Sequence, residues 1–206
     1  GVFSAPVAQQ DMAPTLARML GVVLPGATGR PQGQALVTGA RPPRVMLLIV
    51  LDGMRADYLD RRAADLPELT RLRREGASFV QARVTHAPSI TTAGHATIAT
   101  GTDPRRHGIV TNTIFDRTSG KEVELFRGLS PRNLMALALA DVWNVETDGQ
   151  AIIATQVSIG RAGSLAGHGA CLLGARSTLY AAYHAASGHW QTAPACFRLP
   201  ESHASL

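Results

Sequence analysis

Lysine is almost absent from this chain. Lys121 is the only one in 206 residues, so the net charge of +5 and the pI near 10.0 rest on arginine. A basic balance admits nucleic acid as a partner, but the placement of the arginines argues against it. The densest group, Arg61, Arg62, Arg71, Arg73 and Arg74, sits among Asp60, Asp65, Glu68 and Glu75. Mixed charge on one helix is a solvated, self-paired face, and nucleic-acid binding is not expected. Cysteine is nearly as scarce. Cys171 and Cys196 fit no zinc-ligand spacing and leave two readings open, a disulfide in an exported protein or two inert buried thiols. No apolar run reaches the roughly 20 residues that cross a bilayer. The chain begins with Gly1 rather than methionine, which leaves room for a removed signal peptide or an upstream portion.

What is present is the composition of a globular protein, 45% hydrophobic and 17% charged. A chain of this length forms one large or two small domains. It removes roughly 70% of its unfolded surface from water, enough to hold together without a metal.

Residues 1–36 read as a unit of their own. Asp11 can cap a helix whose apolar face is Met12, Leu16, Met19 and Leu20, with Gly21 as its stop. Residues 37–43, rich in glycine and proline, read as a linker. The run Arg44-Val-Met-Leu-Leu-Ile-Val-Leu51 has no polar alternation. That pattern predicts a strand covered on both faces, as in a parallel sheet between helix layers. Asp52 follows at the carboxyl end, where open α/β sheets place ligands. A helix is predicted from Pro67 to the stop at Gly76, strands over 79–84 and 151–158, and helices over 92–100 and 133–143. Hairpins are predicted for 114–115 with 122–125 and for 178–183 with 190–192. The fold class is α/β, with a mostly parallel sheet sandwiched between helices.

The chemistry concentrates in Pro88-Ser-Ile-Thr-Thr-Ala-Gly-His95 and Gly101-Thr-Asp-Pro-Arg-Arg-His-Gly-Ile-Val-Thr-Asn112. Thr91 and Thr92 open a helix whose amino end favours an anion. Singly, Thr91 is a helix cap and Asp52 a turn cap. Together, strand, carboxylate, hydroxyl and amide point to metal-assisted phosphate chemistry.

Over residues 45–112 this pattern resembles the alkaline phosphatase superfamily, in its type I phosphodiesterase and nucleotide pyrophosphatase branch. The resemblance implies an alkaline phosphatase-like fold and a metal-dependent phosphoric ester hydrolase, exported to the periplasm or secreted, acting on phosphate esters or nucleotides. It makes Thr91 the nucleophile, Asp52 and Thr91 metal ligands, and Asn112 a donor to a nonbridging phosphoryl oxygen. His95 and His107 are structural by the same resemblance. Two zinc ions are implied, and other divalent metals suit such carboxylates. A threonine hydroxyl is a poor nucleophile until a cation stabilises its alkoxide, and a two-metal site steadies entering and leaving oxygens alike. Arg161 falls where monoesterase-like members carry a Lys-x-Arg pair and is a candidate for touching phosphate. The lysine position is Ile159, so a phosphomonoesterase is the lesser alternative. The Cys/Ser-x-Pro-x-Arg motif of sulfatases is absent.

The segment order departs from the family. Asp11-Met-Ala-Pro-Thr-Leu-Ala17, with Leu20-Gly21 and Thr28-Gly-Arg30, resembles its closing helix and tail, yet precedes the opening strand. A tandem product read across a junction, a circular permutant and a partial chain each account for this. On that reading, 1–36 is the tail segment, 37–43 the linker and 44–206 the N-terminal half of an incomplete domain. The family's other zinc ligands include an adjacent Asp-His pair, and no Asp-His dipeptide occurs here. His168, His184 and His189 read as loop or hairpin histidines rather than substitutes. A noncatalytic remnant or interaction module is therefore the competing expectation, as is a site completed by another chain or segment.

Overall fold

A computed structural model of the chain describes residues 1–37, 39–126 and 129–204. Its elements are short. The N-terminal stretch forms β1 (Val2–Phe3), β2 (Val7–Ala8) and helix α1 (Met12–Leu20). Next come α2 (Tyr58–Arg61), α3 (Pro67–Glu75), β3 (Ser78–Phe79) and β4 (Ala82–Arg83). Helices α4 (Thr91–Thr100) and α5 (Pro104–His107) precede a hairpin of β5 (Thr113–Asp116) and β6 (Lys121–Glu124). Helix α6 (Leu139–Glu146) leads to β7 (Ala154–Val157), β8 (Thr178–His184), β9 (His189–Gln191), β10 (Phe197–Arg198) and α7 (Glu201–Ala204).

The architecture is α/β, built from helices and small sheets. Strand β8 pairs in parallel with β7 and with β10, and antiparallel with β9. Strands β1 and β2 pair in parallel with β3 and β4, so the N-terminal stretch is stitched to residues 78–83. Both predicted hairpins form.

The run 45–51 is not a strand. It lies outside every ladder, with Val45 at 84% exposure and Leu47 at 79%. An apolar run becomes a doubly covered strand only when neighbours accept its backbone hydrogen bonds and helices cover both faces. The described residues bring it neither, and no central parallel sheet is built around it. Other expectations shift in detail. The strand over 79–84 breaks into β3 and β4, and in β7 only Val157 is buried. The helix expected over 133–143 begins at Leu139 because Asp141 accepts the Ala138 N–H at 2.8 Å, an N-terminal cap the periodicity does not reveal. Asp11 does not cap α1 through its side chain. Its carboxylate instead takes the N–H of Ala8 at 2.9 Å, the N–H of Arg30 at 2.8 Å and the Gln32 amide at 2.7 Å. It ties the approach to α1 to the loop beyond it.

Burial centres on α4. Its Ala96 and Ala99 pack with Ile109, Leu125, Phe126, Leu134 and Ala138. A second cluster joins Val157, Ala162, Ala166, Tyr180, Ala182 and Phe197, and a third joins Ala13, Ala17 and Leu24 to Val142 of α6. Helix α4 is rich in alanine and threonine, small side chains against which the 3-10 segment Gly160–Ala166 packs closely. Cys171 and Cys196 form a disulfide with a Cα separation of 4.9 Å, resolving the choice the sequence left open. On α3 the arginines pair with carboxylates, Arg71 with Glu68 and Glu75 and Arg73 with Asp60, so the basic cluster is self-neutralised.

Candidate active site

The site is built on the first turn of α4. Ile90, at φ −125° and ψ 161°, is extended, and its carbonyl accepts the Gly94 N–H at 2.9 Å to start the helix. Thr91 and Thr92 are the first two helical residues. Successive helical residues point about 100° apart, and here the two hydroxyls take different partners. Thr91 Oγ1 donates to Asp52 Oδ2 at 3.1 Å. Thr92 is fully buried, and its Oγ1 donates inward to Asn112 Oδ1 at 2.7 Å.

Asp52 lies on an exposed turn completed by Gly53, whose φ of 71° favours a residue without Cβ. Asn112 arrives by another route. Asp103 caps α5 by accepting the Arg105 N–H at 3.0 Å, and Gly108 turns the chain at φ 79°. That φ, rather than the contact an added Cβ would make with the flexible, exposed Met135 side chain, is what favours glycine here. The buried His107 ring then shapes the loop. Its Nδ1 accepts the Ile109 N–H at 3.1 Å, so in the neutral ring Nε2 carries the proton and donates to Thr97 Oγ1 at 3.1 Å. Burial, helped by nearby His86 and opposed by Asp103, pushes the His107 pKa down to about 4. His107 is thus a neutral internal brace. His95 also braces this turn, its Nδ1 donating to the Thr91 carbonyl at 2.7 Å.

Three of the four expected site residues thus meet at one helix start. Asp52 is bonded to Thr91, and Asn112 to the backbone and side chain of Thr92. Arg161 goes elsewhere, to Glu124 Oε1 at 2.9 Å, and no hydrogen bond joins it to Asp52, Thr91 or Asn112. Among the distal histidines, His168 commits both nitrogens, Nδ1 to Asp141 at 2.7 Å and Nε2 to the Leu134 carbonyl at 2.8 Å. Both face oxygen acceptors, and the hydrogen bond to Asp141 raises its pKa against the effect of burial, favouring the protonated ring. Thr92 was read only as part of a helix start, and nothing in the sequence paired Asp141 with His168.

The donor set falls short of what a metal ion needs. Asp52 and Thr91 offer one carboxylate and one hydroxyl, whereas a zinc site takes about four ligands. Among the described residues no three of His, Cys, Asp and Glu come together to hold an ion. These residues do not make a zinc centre by themselves.

The sequence profile described as type I phosphodiesterase / nucleotide pyrophosphatase matches residues 46–162, more than half of the chain and all four expected site residues. The chain belongs to this family. Among curated relatives it is 38% identical over 84 residues to alkaline phosphatase PhoK of Sphingomonas sp, covering 40% of this chain and 15% of that protein. Alkaline phosphatase PafA of Elizabethkingia meningoseptica is 36% identical over 89 residues, 42% of this chain and 16% of its own length. Venom phosphodiesterase 2 of Crotalus adamanteus is 37% identical over 71 residues, 34% of this chain and 9% of its own. The matches with these relatives thus span no more than 16% of their length. No solved structure matches the chain. Family members are generally metal-dependent, and among the described residues no helix is long and apolar enough to cross a membrane.

Proposed function

We propose that this chain carries the nucleophile of a phosphoric ester hydrolase acting on phosphodiesters or nucleotides. The observation that supports this best is the Thr91 hydroxyl donating to Asp52, beside an asparagine anchored at the same helix start. Thr91 Oγ1 attacks phosphorus, a Thr–O–P bond forms and the P–O bond to the leaving group breaks. Its proton leaves along the existing hydrogen bond toward Asp52. Water then cleaves the phosphothreonine and restores the hydroxyl. The Asn112 amide donates to a nonbridging oxygen as charge grows there. Arg161, held by Glu124, is proposed to reach phosphate only by exchanging that partner. A phosphomonoesterase is disfavoured by Ile159 at the lysine position. The disulfide suits an oxidising compartment, in keeping with export.

Hydrolysis of bis(p-nitrophenyl) phosphate by the wild type and by Thr91→Ala tests the reading. Loss of the nucleophile is expected to lower kcat on the order of 10³-fold or more. Unchanged turnover overturns it.

The sparse donor set favours a second reading, a noncatalytic remnant that keeps the nucleophile segment without an ion site, or a site completed by ligands from another chain or segment. Calorimetric titration with zinc separates the readings. Two tight sites argue against a remnant, whereas no binding together with no turnover supports it.

A further inference from the structure

We propose that residues 45–51 form an antiparallel ladder with the same run of a second copy of this chain, making a two-fold dimer. The inference begins from an exposure that alternates. Val45 and Leu47 are followed by Ile49 at 61% and Leu51 at 49%, whereas Leu48 falls to 37% and Met46 and Val50 are half-buried. A period of two is that of a strand with one face in water. Here the wet face is wholly apolar, and among the described residues no strand pairs with the run. Unpaired backbone beside apolar side chains is a template for another strand.

The ends of the run say which strand. Arg44 precedes it and Asp52 follows it, with no charge between. Both are exposed. Arg44 forms no ion pair among the described residues, and Asp52 commits only Oδ2, to Thr91. Two antiparallel copies centred on Leu48 set residue 45 opposite 51 and residue 47 opposite 49. The same register sets Arg44 of each copy opposite Asp52 of the other. Facing residues in a ladder lie about 4.5 to 5.5 Å apart at Cβ, close enough for each pair to interact. The four wet residues of one copy thus meet the four of the other, and both ends close on opposite charges. A parallel pairing in register would set Arg44 against Arg44 and Asp52 against Asp52, and like charges directly opposite are unfavourable. The antiparallel contact is the same patch on both copies, so it closes after two. It also delivers a guanidinium from the second copy to the turn that holds Asp52, where the chain's own Arg161 is not bonded.

Sedimentation equilibrium of the whole chain tests the pairing through its charges. The wild type should show a monomer–dimer equilibrium. Arg44→Glu alone, or Asp52→Lys alone, turns both end pairs into repulsions and should weaken the dimer on the order of tenfold. Mixing the two variants restores both pairs and should recover the wild-type constant. A second measurement fixes the register. The chain's two cysteines are joined in a disulfide, so an introduced cysteine is its one free thiol. Val45→Cys mixed with Leu51→Cys should cross-link under mild oxidation. Val45→Cys alone should not, because the register holds its two copies about 20 Å apart. Cross-linking of Val45→Cys with itself as readily as with Leu51→Cys overturns the proposal, as does a monomer at every concentration. Association that the charge variants leave unchanged is unspecific apolar clustering and overturns it as well. So does a monomer that floats with phosphatidylcholine vesicles, which gives the run to a lipid surface. None of these readouts needs turnover, so they stand apart from the reading of Thr91 as nucleophile.

Discussion

Asn112 illustrates how one side chain can have two unrelated jobs, an acceptor that secures a loop and a donor left over for chemistry. On the proposed mechanism, Asn112→Ala removes the donor and should cost about 10²- to 10³-fold in kcat. Asn112→Asp keeps the acceptor, so its fold should survive while its activity does not. Comparing thermal unfolding with turnover for the two variants checks this. His107 and His168 make predictions of opposite sign. His107 has a folded pKa of about 4 against an ordinary 6.5, so the unfolded chain binds its proton more readily. Its contribution is present above pH 6.5 and is lost as pH falls toward 4, by about 2 kcal/mol between pH 7 and pH 5. His168 is shifted upward, so its contribution is full below 6.5 and fades as pH rises through the raised value. Urea unfolding across pH should show the acid-side loss flattened in His107→Asn and the alkaline-side loss flattened in Asp141→Asn.

Among the elements, α4 is held by both of its ends. Gly101 ends it at φ 67°, where an added Cβ would lie 2.7 Å from the Pro14 ring. Gly101→Ala should therefore destabilise the protein by about 1 to 2 kcal/mol, read from the urea midpoint at constant slope. Helices α3 and α4 were legible because their signals are local: Pro67 at a first turn, Gly76 as a stop, two threonines at a start. The hairpins were legible from the turn residues between their strands. The run 45–51 was not, because a strand belongs to its partners as much as to itself. The start of α6 was hidden for a similar reason, since it depends on which way the Asp141 side chain turns. At the site, Asp52 and Thr91 could be paired from their motifs across 39 positions, but Arg161 was lost to Glu124, 37 positions away and without any motif. Thr92 was passed over because Thr91 occupied the motif position and the two side chains look alike in a sequence.

For the molecule as a whole, the disulfide closes a loop spanning 25 positions that runs from the 3-10 turn at Gly169–Cys171 to the start of β10. Converting both cysteines to serine should cost about 3 kcal/mol, measured by chemical unfolding, and should leave the Thr91–Asp52 contact in place. The pairing of β1 and β2 with β3 and β4 has a different consequence. Residues 1–36 reach the carboxyl end of α4, with the N–H groups of Thr28 and Gly29 both bonded to the Gly101 carbonyl at 2.9 and 3.0 Å. The intervening chain then serves as a tether that raises the effective concentration of one piece at the other. Residues 1–37 and 44–206 coexpressed as two chains should purify together, the shorter behaving as a bound peptide whose dissociation loosens the end of α4.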